Sequence, residues 1–156
     1  MKKHQVTNEL FQVAEVRISY CPRIKAKDRL QVNSSNECMN IFRKAWDQDL
    51  IEYQEEFKAM FLNRGNRVIG IYSVSKGGTA GTVADPKLIF AAALKASASS
   101  IILCHNHPSG NLKPSQADIN LTRKLKDGAN LLEISVLDHI ILTMFDYFSF
   151  ADEGLL

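Results

Sequence analysis

A chain of 156 residues, 46% apolar and 23% charged, has the size of one domain and the composition of an ordinary globular protein. Its formal charge of +2 is too mild to argue for nucleic acid or a membrane surface as the partner. No run of about 18 apolar residues argues for a membrane span. Three cysteines, odd in number and not closely spaced, exclude a disulfide framework and fit a reducing, cytoplasmic setting.

The first twelve residues, His4 among them, carry no pattern. Residues 13–20 then alternate Ala14, Val16, Ile18 and Tyr20 against Glu15, Arg17 and Ser19, which predicts a strand. Cys21-Pro22 ends it, and the basic residues 23–29 form a solvated loop. Ser34-Ser35-Asn36-Glu37 is a capping box, followed at helical spacing by Cys38, Ile41, Phe42, Ala45 and Trp46. This predicts an amphipathic helix lying on a sheet, with Trp46 in the core. After the acidic stretch 52–56, residues 57–62 read as a buried strand. A turn at 63–66 returns the chain through 68–74 as a hairpin. Lys76-Gly77-Gly78-Thr79 lacks the spacing of a phosphate-binding loop. Asp85-Pro86 opens a helix with Pro in its first turn.

The apolar run Ile101-Ile102-Leu103-Cys104 then delivers His105-Asn106-His107-Pro108-Ser109-Gly110. Alternation along a strand points His105 and His107 the same way and turns Cys104 into the core on the other face. Pro108, Gly110 and Pro114 interrupt regular structure until a helix can start at Ser115, bringing Asp118 in its first turn. A histidine on a strand is often no more than a hydrogen-bonded structural residue, and Ser115-x-x-Asp118 is also a capping arrangement. Two imidazoles and a carboxylate joined by a Pro/Gly-rich loop nevertheless make a three-ligand set with a fourth position left for water, as catalytic zinc is held. The new helix is expected to stop at Gly128. Residues 132–136 and 139–143 read as two further strands, and residues 147–150 as a short aromatic end piece. About three helices and six strands give an α/β fold with a mixed, largely antiparallel sheet.

His-x-His-Pro, six residues, then Ser-x-x-Asp resembles the signature of the JAMM (MPN+) metalloproteases, and the string through Gly110 is similar to their RadC branch. Similar residues recur at Glu55-Glu56-Phe57 through Leu62-Asn63, Ser75-Lys76-Gly77-Gly78, Asp138-His139 and Ser149-Phe150-Ala151. The resemblance implies an MPN/JAMM domain over residues 34–156, a cytidine-deaminase-like sandwich, with residues 1–33 as a strand and loop packed on it. It implies Zn²⁺ held by His105, His107 and Asp118. It also implies a glutamate as general base, which RadC-like Glu-x-Phe matches to Glu55, with Glu56 as the alternative. Ser115 would donate to the oxyanion of a tetrahedral intermediate, cap the helix, or do both. Asp138-His139 would either orient a ligand histidine or pack in the ordinary way.

The activity expected from that resemblance is zinc-dependent hydrolysis of a peptide or isopeptide amide in an unidentified protein substrate. The alternative is a DNA-associated RadC-type protein, although the 33 residues before the domain are too short for the helix-hairpin-helix segment of longer RadC-like chains. The letters His-Asn-His are not evidence for an HNH nuclease, whose residues are spread over a ββα unit. A scaffold that has lost its metal fits poorly with the complete ligand set.

Overall fold

The two apolar runs around residues 63–66 form the expected hairpin. Strands β1 (Glu56–Leu62) and β2 (Val68–Lys76) run antiparallel, with Phe61 opposite Gly70 and Glu56 opposite Lys76. The structure is a computed structural model and describes residues 14–78 and 83–156. β1 also pairs antiparallel with β3 (Ser100–Asn106), β3 pairs parallel with β4 (Ser135–Leu142), and β5 (Tyr147–Ser149) adds antiparallel to β4. The sheet order is β2-β1-β3-β4-β5, a mixed and mostly antiparallel sheet in an α/β domain.

Three α-helices accompany these five strands among the described residues. α1 (Ser35–Ala45) starts where the Ser34 side chain accepts from the Glu37 N–H. The box is displaced by one residue, because the Glu37 carboxylate reaches the N–H of Asn33 and not that of Ser34. α2 (Pro86–Lys95) has Asp85 as its cap. α3 (Gln116–Leu131) starts at the Ser115 cap and runs through Gly128, contrary to the expected stop. A side chain at Gly128 would come within 2.9 Å of the Phe90 ring, so this glycine serves the close approach of α2 and α3. The chain turns out of α3 at Glu133, whose φ of 55° is left-handed, while Ile134 N–H donates to Ala129 O.

The sheet is covered on both faces. Phe57, Ala59, Phe61, Ile101 and Leu103 pack with Ile89 and Ala93 of α2 and Leu125 and Ala129 of α3. Met60, Leu62, Ile102, Cys104, Ile140 and Leu142 pack with Cys38 and Phe42 of α1 and with Trp46. Cys104 therefore lies in the core opposite His105, and burial pushes its thiol well above the ordinary value.

Two expected features change. The two strands around Leu137 are one strand, β4, so the sheet has five strands and not six. Ile101 pairs with Val136 but Ile102 with Asp138, leaving Leu137 as an extra, bulged residue. The bulge breaks the period of two, which is why the sequence looks like two strands there. It also sets Val136 and His139 on the same face. The second change is at the N-terminal side, where residues 14–20 of the expected strand are irregular and Val13 lies outside the described residues. Val16 is 83% exposed, so the alternating pattern had no layer to bury against. Tyr20 instead ties the segment to β2 through a hydrogen bond to Ile69 O. No described helix is long and apolar enough to cross a membrane.

Candidate metal centre

β3 ends on the histidines, and the loop after it folds back at once. His107 N–H donates to Leu142 O of β4, and Gly110 N–H donates to His107 O with Gly110 at a φ of 78°. The loop carbonyl of Asn111 then stands 2.5 Å from His107 Nδ1. A carbonyl only accepts, so Nδ1 carries the hydrogen and the lone pair of His107 is on Nε2. That Nε2 faces His105 Nε2 at 2.9 Å. Asp118, from the first turn of α3, has Oδ1 3.3 Å from His105 Nε2 and Oδ2 3.8 Å from His107 Nε2. One ligand atom from each of these three residues lies within 4.8 Å of the others.

This donor set fits a divalent cation. Burial first, with the neighbouring His107 adding to it and Asp118 opposing, pushes His105 down to about 4, so its imidazole is neutral at ordinary pH. Neutral imidazoles and an ionised carboxylate are the protonation states a metal requires. Two neutral imidazole nitrogens only 2.9 Å apart also need a proton or a cation between them to be comfortable neighbours.

Ser115 caps α3 reciprocally: its Oγ accepts from Asp118 N–H, and Asp118 Oδ2 accepts from Ser115 N–H at 2.7 Å. The Ser115 hydroxyl also donates to Asp118 Oδ2 at 2.6 Å. The cap therefore orients the carboxylate, and the hydroxyl is next to it at the rim of the cluster.

The two glutamates separate by face. Phe57 is paired with His105 and stacks on it, ring centroids 5.9 Å apart and nearly parallel. Alternation sets Glu55, two residues earlier, on that side and Glu56 on the other. Glu56 is 2% exposed, takes a hydrogen bond from Lys58 Nζ at 2.8 Å, and has Lys76 Nζ 2.9 Å from its other oxygen, an ion pair off hydrogen-bond direction. Burial would raise its carboxyl, but the two lysines outweigh burial and hold it below the ordinary value. Glu55 is half-buried at the start of β1, and its carbonyl accepts from Gly77 N–H.

Asn106 is a contributor that sequence reading passes over. Its fully buried side chain donates to Ile51 O and Gln54 O and accepts from Glu56 N–H. Two donors meet two carbonyls and the oxygen meets an N–H, so only one amide orientation is possible. The segment carrying Glu55 is thereby tied on both sides to the strand carrying the histidines. The Asp138-His139 pair also divides. His139 faces the cluster, with Nε2 2.8 Å from His105 Nδ1. Asp138 faces away and binds Ser149 Oγ, Ala151 N–H and His139 N–H, which fastens β5 and the C-terminal turn.

A model of the RadC-like JAB domain matches residues 32–155. The chain belongs to that family. Among its RadC-like relatives is a UPF0758 protein from Flavobacterium johnsoniae, 50% identical over 101 residues, which are 65% of this chain and 44% of the relative. Another from Chlorobaculum parvum is 43% identical over 127 residues, 75% of this chain and 57% of that one. A third, from Porphyromonas gingivalis, is 46% identical over 104 residues, 66% and 46% of the two chains. This RadC-like chain thus spans about half the length of the curated relatives it matches.

Proposed function

We propose that this RadC-like JAB domain is a zinc-dependent hydrolase of JAMM type, cleaving a peptide or isopeptide amide. The observation that carries the reading is the convergence of His105 Nε2, His107 Nε2 and the Asp118 carboxylate. Zinc bound by these three would supply Lewis acidity and lower the pKa of water to about 7. Glu55, on the face of His105, takes the proton from the attacking water and returns it to the leaving amine. Ser115, beside the Asp118 carboxylate, turns its hydroxyl toward the oxyanion as the amide carbon becomes tetrahedral. Phe57 and Asn106 hold these groups in place, the first by stacking on His105 and the second by tying down the segment before β1.

Metal analysis of the purified protein tests the site. One zinc per chain is expected, and none in His107→Ala, because two remaining ligands rarely retain the metal. Stoichiometric zinc in His107→Ala overturns the ligand assignment. A screen of the zinc-loaded protein on peptide, isopeptide and DNA phosphodiester substrates then tests the reaction. Cleavage of amides alone supports it; cleavage of DNA alone assigns the metal to nucleic-acid processing instead.

A further inference from the structure

His139 is fully buried, its ring stacked on Phe150 with centroids 4.8 Å apart, and both of its nitrogens are occupied. Nε2 is 2.8 Å from His105 Nδ1, and Nδ1 is 2.6 Å from Thr122 Oγ1. Thr122 is itself buried on α3, one turn beyond Asp118, and its hydroxyl donates to the main-chain carbonyl of Asp118 at 2.6 Å.

The direction of every hydrogen bond follows from that last one. A carbonyl cannot donate, so the single hydroxyl hydrogen of Thr122 lies between Oγ1 and Asp118 O. Oγ1 must then accept from His139, which places the His139 hydrogen on Nδ1 and leaves Nε2 an acceptor. His105 in turn donates from Nδ1, and its lone pair is left on Nε2, at the cluster with His107 and Asp118. Reversing the chain would strip the hydrogen from a 2.6 Å oxygen–oxygen contact and leave two acceptors facing each other.

We infer that Thr122 and His139 are positioning residues that fix the tautomer and ring orientation of His105 and bind it to the helical turn that carries Asp118. This rests on the reading of His105 and Asp118 as metal ligands. The device is neutral throughout. Metal-ligating histidines are often backed by a carboxylate, which raises their basicity; here the backing group is a second imidazole, and the chain ends on the backbone of another ligand. A shift of α3 along its axis would disturb both ligands together.

The test uses the full chain and zinc alone, so that no substrate is needed. Long-range ¹H–¹⁵N spectra of the zinc-free protein should show His139 with its hydrogen on Nδ1. A hydrogen on Nε2 overturns the inference whether or not zinc binds. Thr122→Val keeps the shape and removes the hydroxyl; it should weaken zinc roughly 10–100-fold in competition with a chelator, the usual effect of losing an outer partner. Thr122→Ser, which keeps the hydroxyl, should bind nearly as wild type. Equal zinc affinity in wild type and Thr122→Val, with His139 still protonated on Nδ1 in both, reduces the pair to packing. If wild type itself takes up no zinc, the ligand reading fails, while the His139 spectrum still decides the hydrogen-bond direction. If Thr122→Val does not fold, that spectrum and Thr122→Ser carry the decision.

Discussion

The β1–β3 pair buries polar side chains on both faces, and the two faces keep them in opposite ways. On the α1 side, Glu56 and Lys58 remain charged, 2.8 Å apart, with Ser73 Oγ 3.2 Å from the lysine and the Trp46 ring centroid 4.7 Å from it. On the α2/α3 side, burial pushes His105 down to about 4 and His139 well below its ordinary value, so both are neutral. Charges that satisfy one another leave nothing over for chemistry. A chain of neutral groups whose last acceptor points at a carboxylate leaves one lone pair unspent. The difference teaches that burial alone does not mark a functional site; what matters is where the last unpaired atom faces.

Exchanging one glutamate at a time should separate the faces most sharply. Glu55→Gln is expected to retain zinc and melt as wild type, yet lose roughly 10²–10⁴-fold in hydrolysis, the usual worth of a general acid–base group. Glu56→Gln should do the reverse. It leaves Lys58 buried beside an uncharged partner and should cost about 3–5 kcal/mol of stability, with the zinc stoichiometry of the folded fraction unchanged. Zinc content, thermal melts and turnover on the same two proteins decide it. A catalytic defect confined to Glu56→Gln would exchange the roles assigned to the two residues.

Acid should expose the charged face. The folded Glu56 carboxyl lies below its ordinary value of 4.5, so through that window the folded state holds fewer protons than the unfolded chain. The stability it contributes is complete above the unfolded value and is lost as pH falls through the folded one. Melting temperatures of wild type and Glu56→Gln should therefore differ most at neutral pH and draw together in acid. Parallel curves would mean that the pair contributes nothing through ionisation.

The smallest effect expected concerns the cap. Ser115→Ala should cost about 0.5–2 kcal/mol, the worth of an N-cap, and loosen the Asp118 carboxylate that its hydroxyl now holds. Aspartate is ordinarily as good a cap, and the sequence suggests it would restore stability. The structure argues against that: a carboxylate at 115 would stand where Oγ meets Asp118 Oδ2 at 2.6 Å. Ser115→Asp should thus melt no higher than Ser115→Ala. Recovery to the wild-type melt would show that Ser115 caps the helix without steering Asp118.

Local patterns were legible wherever one element decided the outcome. The 57–74 hairpin, the caps at Ser34, Asp85 and Ser115, and the convergence of His105 with His107 all depend on neighbours within a few residues. Thr122, His139 and Asn106 were hidden because their roles exist only across the sheet: His139 meets Thr122 from 17 residues away and His105 from 34, and Asn106 reaches back 50 residues to Glu56. Glu55 and Glu56 are indistinguishable as letters, and only the register of β1 against His105 gives them different faces. Gly128 misled because a glycine near a helix end looks like a stop, whereas here the space belongs to Phe90.

The bulge at Leu137 makes the distance from α3 to His139 a counted length. Leu137 is 37% exposed, so many side chains would serve there. Removing the residue is another matter. If the chain held its pairing from Val136 onward, His139 would swing into the α1 cluster among Met60 and Ile102, and Ile140 would take its place beside His105. In evolutionary terms, this stretch is free to drift in identity and closed to insertion or deletion.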